Sequence, residues 1–314
     1  MFYILGLSKV LVATGWSPTA TNSVEIVDLL STSNICQNFP NFPKATRGAN
    51  GELDMNGNPI LCGGDPPTND CETFVNGSWI SGNPLIEGRY YSSMIKLPFV
   101  NDPISLFITG SYTPLLNSAE VLINGKWESW PAILPGKIGG HCMVMLNSTT
   151  IMIIGGKQDD VLYSNKTHFL DMQTKNWVKG PELKFGRRAH SCARIPSKNQ
   201  SSEYSIIVVG GSNGQDLSSV EIWDEGLKGW RQGPELPYPI CCSAIVEHPL
   251  GGVALIGGRA NSSTLLNTIY YLPHAGVDAK WELMPQKLQM ARYYHTAFLV
   301  PDEIADYCEN NSHN

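Results

Sequence analysis

IIVVGGSNGQDLSSVEIWDEGLKGW, residues 206–230, sets the pattern from which the fold is read. Four apolar, β-branched residues (206–209) run into Gly210-Gly211. Residues 212–219 carry Ser, Asn, Gly and Asp, the residue types of a loop. Residues 220–224 make a second short strand, 225–229 a turn, and Trp230 opens the strand that follows.

The same order recurs along the chain, and self-similarity at a steady period marks stacked structural units. Apolar runs end in a glycine pair at residues 10–15 (VLVATG), 60–64 (ILCGG), 106–110 (LFITG), 151–156 (IMIIGG), 206–211 and 253–258 (VALIGG). Thr-Gly stands for the pair in the first and third. Taking the last glycine of each, at 15, 64, 110, 156, 211 and 258, the steps are 49, 46, 46, 55 and 47 residues. The long step holds a polar insertion, 196–203, that carries Asn199. A Trp follows in five units (Trp79, Trp127, Trp177, Trp230, Trp281), and Cys36 stands near its place in the first. Short strands between glycine and Trp fall at 25–28, 72–75, 120–123, 168–171, 221–224 and 269–272. After the Trp comes a Pro-bearing turn, such as KGPEL at 179–183. A last strand follows, at 47–53, 90–97, 141–146, 190–195, 241–247 and 294–300.

One such four-stranded unit cannot bury both of its faces, so it must stack on neighbours. The glycine pair allows a close approach and the Trp needs a flat partner, so both are read as packing positions. The pattern resembles the Kelch family, whose repeat is the four-stranded blade of a β-propeller. The resemblance runs from residue 10 to residue 300. It implies an all-β, six-bladed propeller, a single domain over residues 1–303 with a short polar tail at 304–314. A secreted, invertebrate-type member is the expected form. The first unit lacks an innermost strand, and the end of the chain offers one. ARYYHTAFLVP at 291–301 matches GRRAHSCARIP at 186–196 in spacing. Residues 294–300 are therefore expected to complete the first blade and close the ring, which removes open sheet edges. Residues 2–7 are left over, as an edge strand or part of a leader.

Hydrophobic residues make up 42% and charged residues 16%, which excludes a disordered acidic chain. A net charge of −6 speaks against nucleic-acid or anionic-membrane partners. No apolar run approaches the ~18 residues of a membrane span. The sequon N-x-S/T occurs at Asn76, Asn147, Asn165, Asn199, Asn261 and Asn310, and there are eight Cys. Together they favour an extracellular or luminal compartment. The N-terminal apolar run is interrupted by Lys9 and shows no cleavage site. The expectation is a secreted chain whose signal peptide is not visible, with a cytoplasmic chain as the alternative.

No catalytic constellation emerges. Glu25, Glu72, Glu120 and Glu221 recur at one place in the unit, so they point into different blades and are read as strand-end hydrogen-bonding groups. GGSNG at 210–214 fits G-x-S-x-G, but a loop and strand follow where a nucleophile elbow needs a helix. The cysteines contain no C-x-x-C, and His141-Cys142 and His190 with Cys192 belong to different blades, so no metal is expected. Cys62 is expected to bridge to either Cys36 or Cys71, a choice left open. Cys142, Cys192, Cys241 and Cys242 are expected as small buried residues.

Arginines recur where the innermost strands begin: Arg89, Arg187 with Arg188, and Arg292. In the Kelch domains this chain resembles, these segments and the loops after the glycine pairs open on one face around the axis. Arg there can bind acidic groups of a peptide, and the neighbouring Tyr90, Tyr91, Tyr293 and Tyr294 suit protein recognition. The bland alternative ties each Arg to a carboxylate of a neighbouring blade. The expected binding set is Arg89, Tyr91, Tyr112, Arg187, Arg188, Ser212, Asn213, Arg292 and Tyr293. The function expected is a non-catalytic protein-interaction module, monomeric and without cofactor. Its alternatives are the substrate-recognition propeller of a cullin-type ubiquitin ligase and a galactose-oxidase-like enzyme.

Overall fold

The computed structural model describes residues 7–31, 36, 39–98, 104–159, 161–197, 203–225 and 228–308. The repeated units fold as antiparallel sheets with strands in chain order, such as Ser191–Pro196, Tyr204–Val209, Val220–Asp224 and Arg231–Gln232 in the fifth. The first sheet is completed from the far end of the chain. Thr296–Val300 pairs with Lys9–Ala13, Thr296 opposite Ala13 and Val300 opposite Lys9. In fourth place of that sheet, Cys36 bridges to Ile26. The innermost strands Asn50–Leu53, Ser93–Lys96, Cys142–Met145, Ser191–Pro196, Ala244–Glu247 and Thr296–Val300 touch one another in order and return to the start. The fold is a β-propeller.

The second strands are apolar on both faces because both are covered. In Tyr204–Val209, Ile206 and Val208 join the cluster shared with the fourth sheet, while Ile207 and Val209 join the cluster shared with the sixth. Each of the six seams between neighbouring sheets holds one such cluster.

At the axis the backbone forms a closed ring. The N–H of Gly48 donates to the carbonyl of Tyr294, and those of Tyr91, Gly140, Ala189, Cys242 and Tyr294 donate in turn to Gly48, Tyr91, Gly140, Ala189 and Cys242, all at 2.7–2.9 Å. All six residues have positive φ. The innermost strands therefore begin two residues beyond this ring, later than the pattern predicts by one residue in the fourth and fifth units and by two or three in the others.

A second circle of bonds explains the glycine pairs. The N–H of Gly15, Gly64, Ser111, Gly156, Gly211 and Gly258 donates to the carbonyl of Thr46, Arg89, Ile138, Arg187, Ile240 and Arg292 in the next sheet, at 2.8–2.9 Å. The third pair is thus Gly110-Ser111, one place later than Thr109-Gly110. What lies over the pair is not Trp. A Cβ on Gly110, Gly155 or Gly257 would meet Cε1 of His141, His190 or His295 of the next sheet at 3.0, 2.7 and 2.8 Å. The indoles reach back instead: Nε1–H of Trp79, Trp230 and Trp281 donates to the carbonyls of Pro40, Pro181 and Pro234 in the preceding unit's turn.

All eight cysteines are paired. Cys62 joins Cys71, one of its two expected partners, and Cys36 joins Cys308. The later cysteines are not isolated core residues. Cys142 and Cys192 meet because neighbouring innermost strands run side by side, and Cys241 is paired with Cys242. The tail expected from 304 is docked as far as Cys308, with Ile304 and Ala305 buried. Residues 2–6 lie outside the described residues.

Candidate functional site

Three of the expected binding residues are structural. Arg89, Arg187 and Arg292 are 0% exposed. Each repeats one arrangement. Arg187 donates from one terminal nitrogen to the carbonyls of Gly210 (2.8 Å) and Ser219 (3.0 Å), and from the other to Glu221 (2.6 Å). Arg89 does the same with Gly110, Ser118 and Glu120, and Arg292 with Thr14, Ser23 and Glu25. The carboxylates also accept backbone N–H groups of the lead-in segment, Lys184 and Phe185 in the case of Glu221. A buried guanidinium must be paired and hydrogen-bonded, and the carboxylate comes from the sheet the arginine leads into, not from a neighbour. Units one, three and five carry the pair. Units two, four and six place Thr46, Ile138 and Ile240 where the arginine would be, and Glu72 is left half-exposed with a bond to Ser81.

The residue after each of these positions, and the ring residue after that, form the mouth. Here stand Arg47-Gly48, Tyr90-Tyr91, Gly139-Gly140, Arg188-Ala189, Cys241-Cys242 and Tyr293-Tyr294. The backbone is the same in all six, so the side chains alone distinguish them. Tyr91 and Tyr294 stack at 4.3 Å, and a Cβ on Gly48 would fall 2.2 Å from the Tyr91 ring, so these two phenols fill the space over Gly48. Over Gly140, Ala189 and Cys242 the floor stays open. The resulting cavity, about 170 Å³, is lined by Tyr91, Tyr112, Arg188, His190, Cys242 and Tyr294 among others. An apolar cavity of about 150 Å³ holds a benzene ring, so this one takes a single side chain.

Arg188 stands on the open side. Its guanidinium carbon lies 5.2 Å from the ring centres of both Tyr112 and Tyr163, and it donates to the Tyr112 hydroxyl. The other two mouth arginines are already neutralised: Arg47 by Asp65 at 2.7 Å and Arg259 by Asp216 at 2.9 Å. Among the described residues Arg188 has no carboxylate partner. Burial, with Tyr294 alongside, pushes the Tyr91 phenol above its ordinary range, and burial does the same to Tyr294. Both stay neutral hydroxyls. Deeper in, burial lowers His141 and His295 to about 3 and His190 well below its usual range, with Arg89, Arg292 and Arg187 adding repulsion.

Loop bonds brace the mouth. Arg188 and Ser212 exchange backbone hydrogen bonds within the fifth unit, at 3.0 and 2.9 Å, extending the pairing of Ser191–Pro196 with Tyr204–Val209. Of the expected set, then, Tyr91, Tyr112, Arg188 and Tyr293 gather at the mouth, Ser212 braces it through its backbone, and Asn213 is exposed at a loop tip. Arg47, Tyr163 and Arg259 escaped the pattern. Arg47 could have been found by aligning on Gly48, which puts it beside Tyr90, Arg188 and Tyr293 and not beside the buried arginines. No cluster of three or more potential metal ligands occurs among the described residues.

The sequons differ in setting. Asn76, Asn147 and Asn261 are exposed. Asn165 is half-buried, and its amide donates to the carbonyl of Leu183 (3.4 Å) and to Glu182 (3.3 Å), as the amide of Asn69 does to Leu85 (3.1 Å). Asn165 is thus a packing residue of the repeat. Asn199 and Asn310 lie outside the described residues.

Residues 200–237 match the family model of the Kelch motif. The chain carries a Kelch motif and is similar to Kelch-repeat proteins. A RING finger domain and kelch repeat-containing protein of Dictyostelium discoideum is 30% identical over 43% of this chain and 13% of its own length. Alpha-scruin of Limulus polyphemus is 23% identical over 54% of this chain and 19% of its own. The chain thus aligns with less than a fifth of either relative. Among solved structures, that of YjhT superposes with a TM-score of 0.70 at 14% identity, covering 88% of this chain and 94% of that one. This likeness is one of fold. Kelch repeats serve protein–protein interaction, and no helix among the described residues is long and apolar enough to cross a membrane.

Proposed function

We propose that residues 1–303 are one propeller domain acting as a non-catalytic interaction module. It reads a protein or peptide partner at the mouth. One observation carries the reading: the Arg188 guanidinium lies against the Tyr112 and Tyr163 rings at a cavity of side-chain size, with no carboxylate partner among the described residues. The planar guanidinium donates one N–H to the Tyr112 hydroxyl, and the fork of its other donors matches a carboxylate. The partner chemistry that fits is an acidic side chain, seated beside the neutral hydroxyls of Tyr91 and Tyr294. Four cysteine pairs and the exposed sequons at Asn76, Asn147 and Asn261 support work outside the cytosol, with glycans at those positions.

Selection from a random peptide library tests it. Selected peptides should be enriched in Asp and Glu. Arg188→Met should weaken their binding about tenfold or more without moving the melting temperature. Peptides that bind the Arg188→Met protein equally well refute the reading. The second reading, substrate recognition inside the cell, uses the same mouth. Glycans found on the natural protein would decide against it.

A further inference from the structure

The segment after the closing strand forms a strap. Asp302–Ala305 is a single helical turn with no side-chain cap, and Asp306–Cys308 continues it. One turn of helix is not stable by itself. Ile304 and Ala305 bury themselves in the seam between the first and second sheets. Tyr307 meets Phe74 edge-on, ring centres 5.4 Å apart. Phe74 packs in turn on Phe39 at 4.5 Å and Trp79 at 5.3 Å, and Trp79 on Phe42 at 5.2 Å. The strap therefore covers an aromatic face. Cys308 then bonds to Cys36, 272 positions earlier. Among the described residues, the outer edge of the first sheet is represented by Cys36 alone, held by its single bridge to Ile26. The disulfide thus ties a single helical turn to Cys36 at the edge of the first sheet.

Ring closure has bonds of its own. Thr296–Val300 keeps its full register with Lys9–Ala13, and Tyr294 keeps its two bonds in the axial ring. Cys36 and Cys308 are half-buried, as are Cys142 and Cys192 on the innermost strands, whereas Cys62, Cys71, Cys241 and Cys242 are buried.

We propose that the Cys36–Cys308 bond is a releasable buckle. Opened by a dithiol reductant, it frees residues 302–308 and uncovers the aromatic face of Phe39, Phe42, Phe74 and Trp79, while the propeller stays closed. In this step the S–S bond breaks, two electrons and two protons pass to Cys36 and Cys308 as thiols, and the reductant closes to its own disulfide. Segments with few buried contacts and few backbone bonds are the first to open.

Hydrogen exchange read by mass spectrometry on the full chain tests this, comparing the oxidised protein with a Cys36→Ser/Cys308→Ser variant. In the variant, residues 302–308 should exchange about tenfold faster or more, chymotrypsin should cut after Tyr307 at a similarly raised rate, and a fluorescent apolar dye should bind. Strands Lys9–Ala13 and Thr296–Val300 should keep their protection. Mild dithiol treatment of the unmodified protein, followed by alkylation, should label Cys36 and Cys308 before Cys62 and Cys71, and reoxidation should restore protection. Unchanged protection of 302–308 in the variant overturns the proposal. So does loss of protection in Lys9–Ala13, which would make the bond a requirement for closure.

Discussion

Replacing Glu221 by Gln tests whether the recurrent arginines hold the sheets or serve a ligand. Glu221 and Arg187 are 3% and 0% exposed at the side chain, and their atoms meet at 2.6 Å. The carboxylate also takes the N–H groups of Lys184 (2.6 Å) and Phe185 (3.2 Å). Gln offers one acceptor oxygen in place of two and turns an NH2 toward groups that are themselves donors. Arg187 would remain buried without its counter-charge. Breaking a buried pair from one side costs roughly 3–5 kcal/mol. With an unfolding entropy near 2.1 cal/mol/K per residue, that lowers the melting temperature of a chain this long by about 5–8 °C. Glu72→Gln is the control, since that half-exposed carboxylate accepts only from Ser81 and should cost less than about 0.5 kcal/mol. Urea unfolding followed by Trp fluorescence reads both. The double variant Arg187→Met/Glu221→Leu should cost clearly less than the two single changes added, because neither charge is then stranded. If Glu221→Gln unfolds within about 1 kcal/mol of the parent, the pair is not a structural element and Arg187 returns to the list of binding groups.

Acid should loosen the propeller between about pH 6.5 and 3. His141, His190 and His295 have folded-state values depressed below the unfolded one, so the unfolded chain binds more protons there, and stability present above pH 6.5 is lost as pH falls. His141 and His295 each contribute about 2 kcal/mol of loss by pH 5, His190 acts in the same direction, and urea midpoints measured across that range should flatten when one is replaced by Gln. Gly155→Ala should cost roughly 2–4 kcal/mol, because φ is +61° and a Cβ would stand 2.7 Å from the His190 ring. Gly125→Ala, at φ +77° with no atom within 4 Å, should cost only about 1 kcal/mol. In protein secreted from eukaryotic cells, glycopeptide mapping should find Asn147 and Asn261 occupied and Asn165 bare, because a glycan on Asn165 would displace its bonds to Leu183 and Glu182. An occupied Asn165 in correctly folded protein would count against its structural role.

The repeat, the propeller and its closing strand were legible because they rest on spacing, and spacing survives translation into structure. Glu25, Glu120 and Glu221 were visible as one series and Arg89, Arg187 and Arg292 as another. Their union was hidden, because the partners lie 31 and 34 residues apart in two units and at opposite ends of the chain in the first. The signal was there: the arginine is missing in the units where the strand position carries His168 or Tyr270. The axial ring was hidden for a different reason. Tyr91, Ala189, Cys242 and Tyr294 are residue types that rarely take positive φ, so nothing in their identity marks them. Only Gly48 and Gly140 do. The strap was missed because a polar composition at 304–314 conceals three residues, Ile304, Ala305 and Cys308, that do the docking.

A propeller repeats its backbone and varies its side chains, and that division locates recognition in this protein. Six ring residues make the same two hydrogen bonds, six seam positions donate the same N–H, and three sheets carry the same arginine–carboxylate arrangement. Substitution at the seam positions or in the arginine–carboxylate pairs changes stability by the amounts worked out above and should move binding only through folding. The twelve mouth positions carry no such obligation. Their backbone bonds are made whatever the side chain, which is why Arg47-Gly48, Gly139-Gly140 and Tyr293-Tyr294 can occupy equivalent sites. Two tyrosines close one half of the axis, and Gly140, Ala189 and Cys242 leave the other half open beside Arg188. A symmetric scaffold thereby acquires a directional pocket without disturbing a single ring bond. Exchange of Ala189 for Tyr should therefore fill the open half as Tyr294 fills its own. It should abolish capture of acidic peptides while leaving the unfolding midpoint within about 1 kcal/mol of the parent. A variant that still binds them would place the partner elsewhere on the molecule.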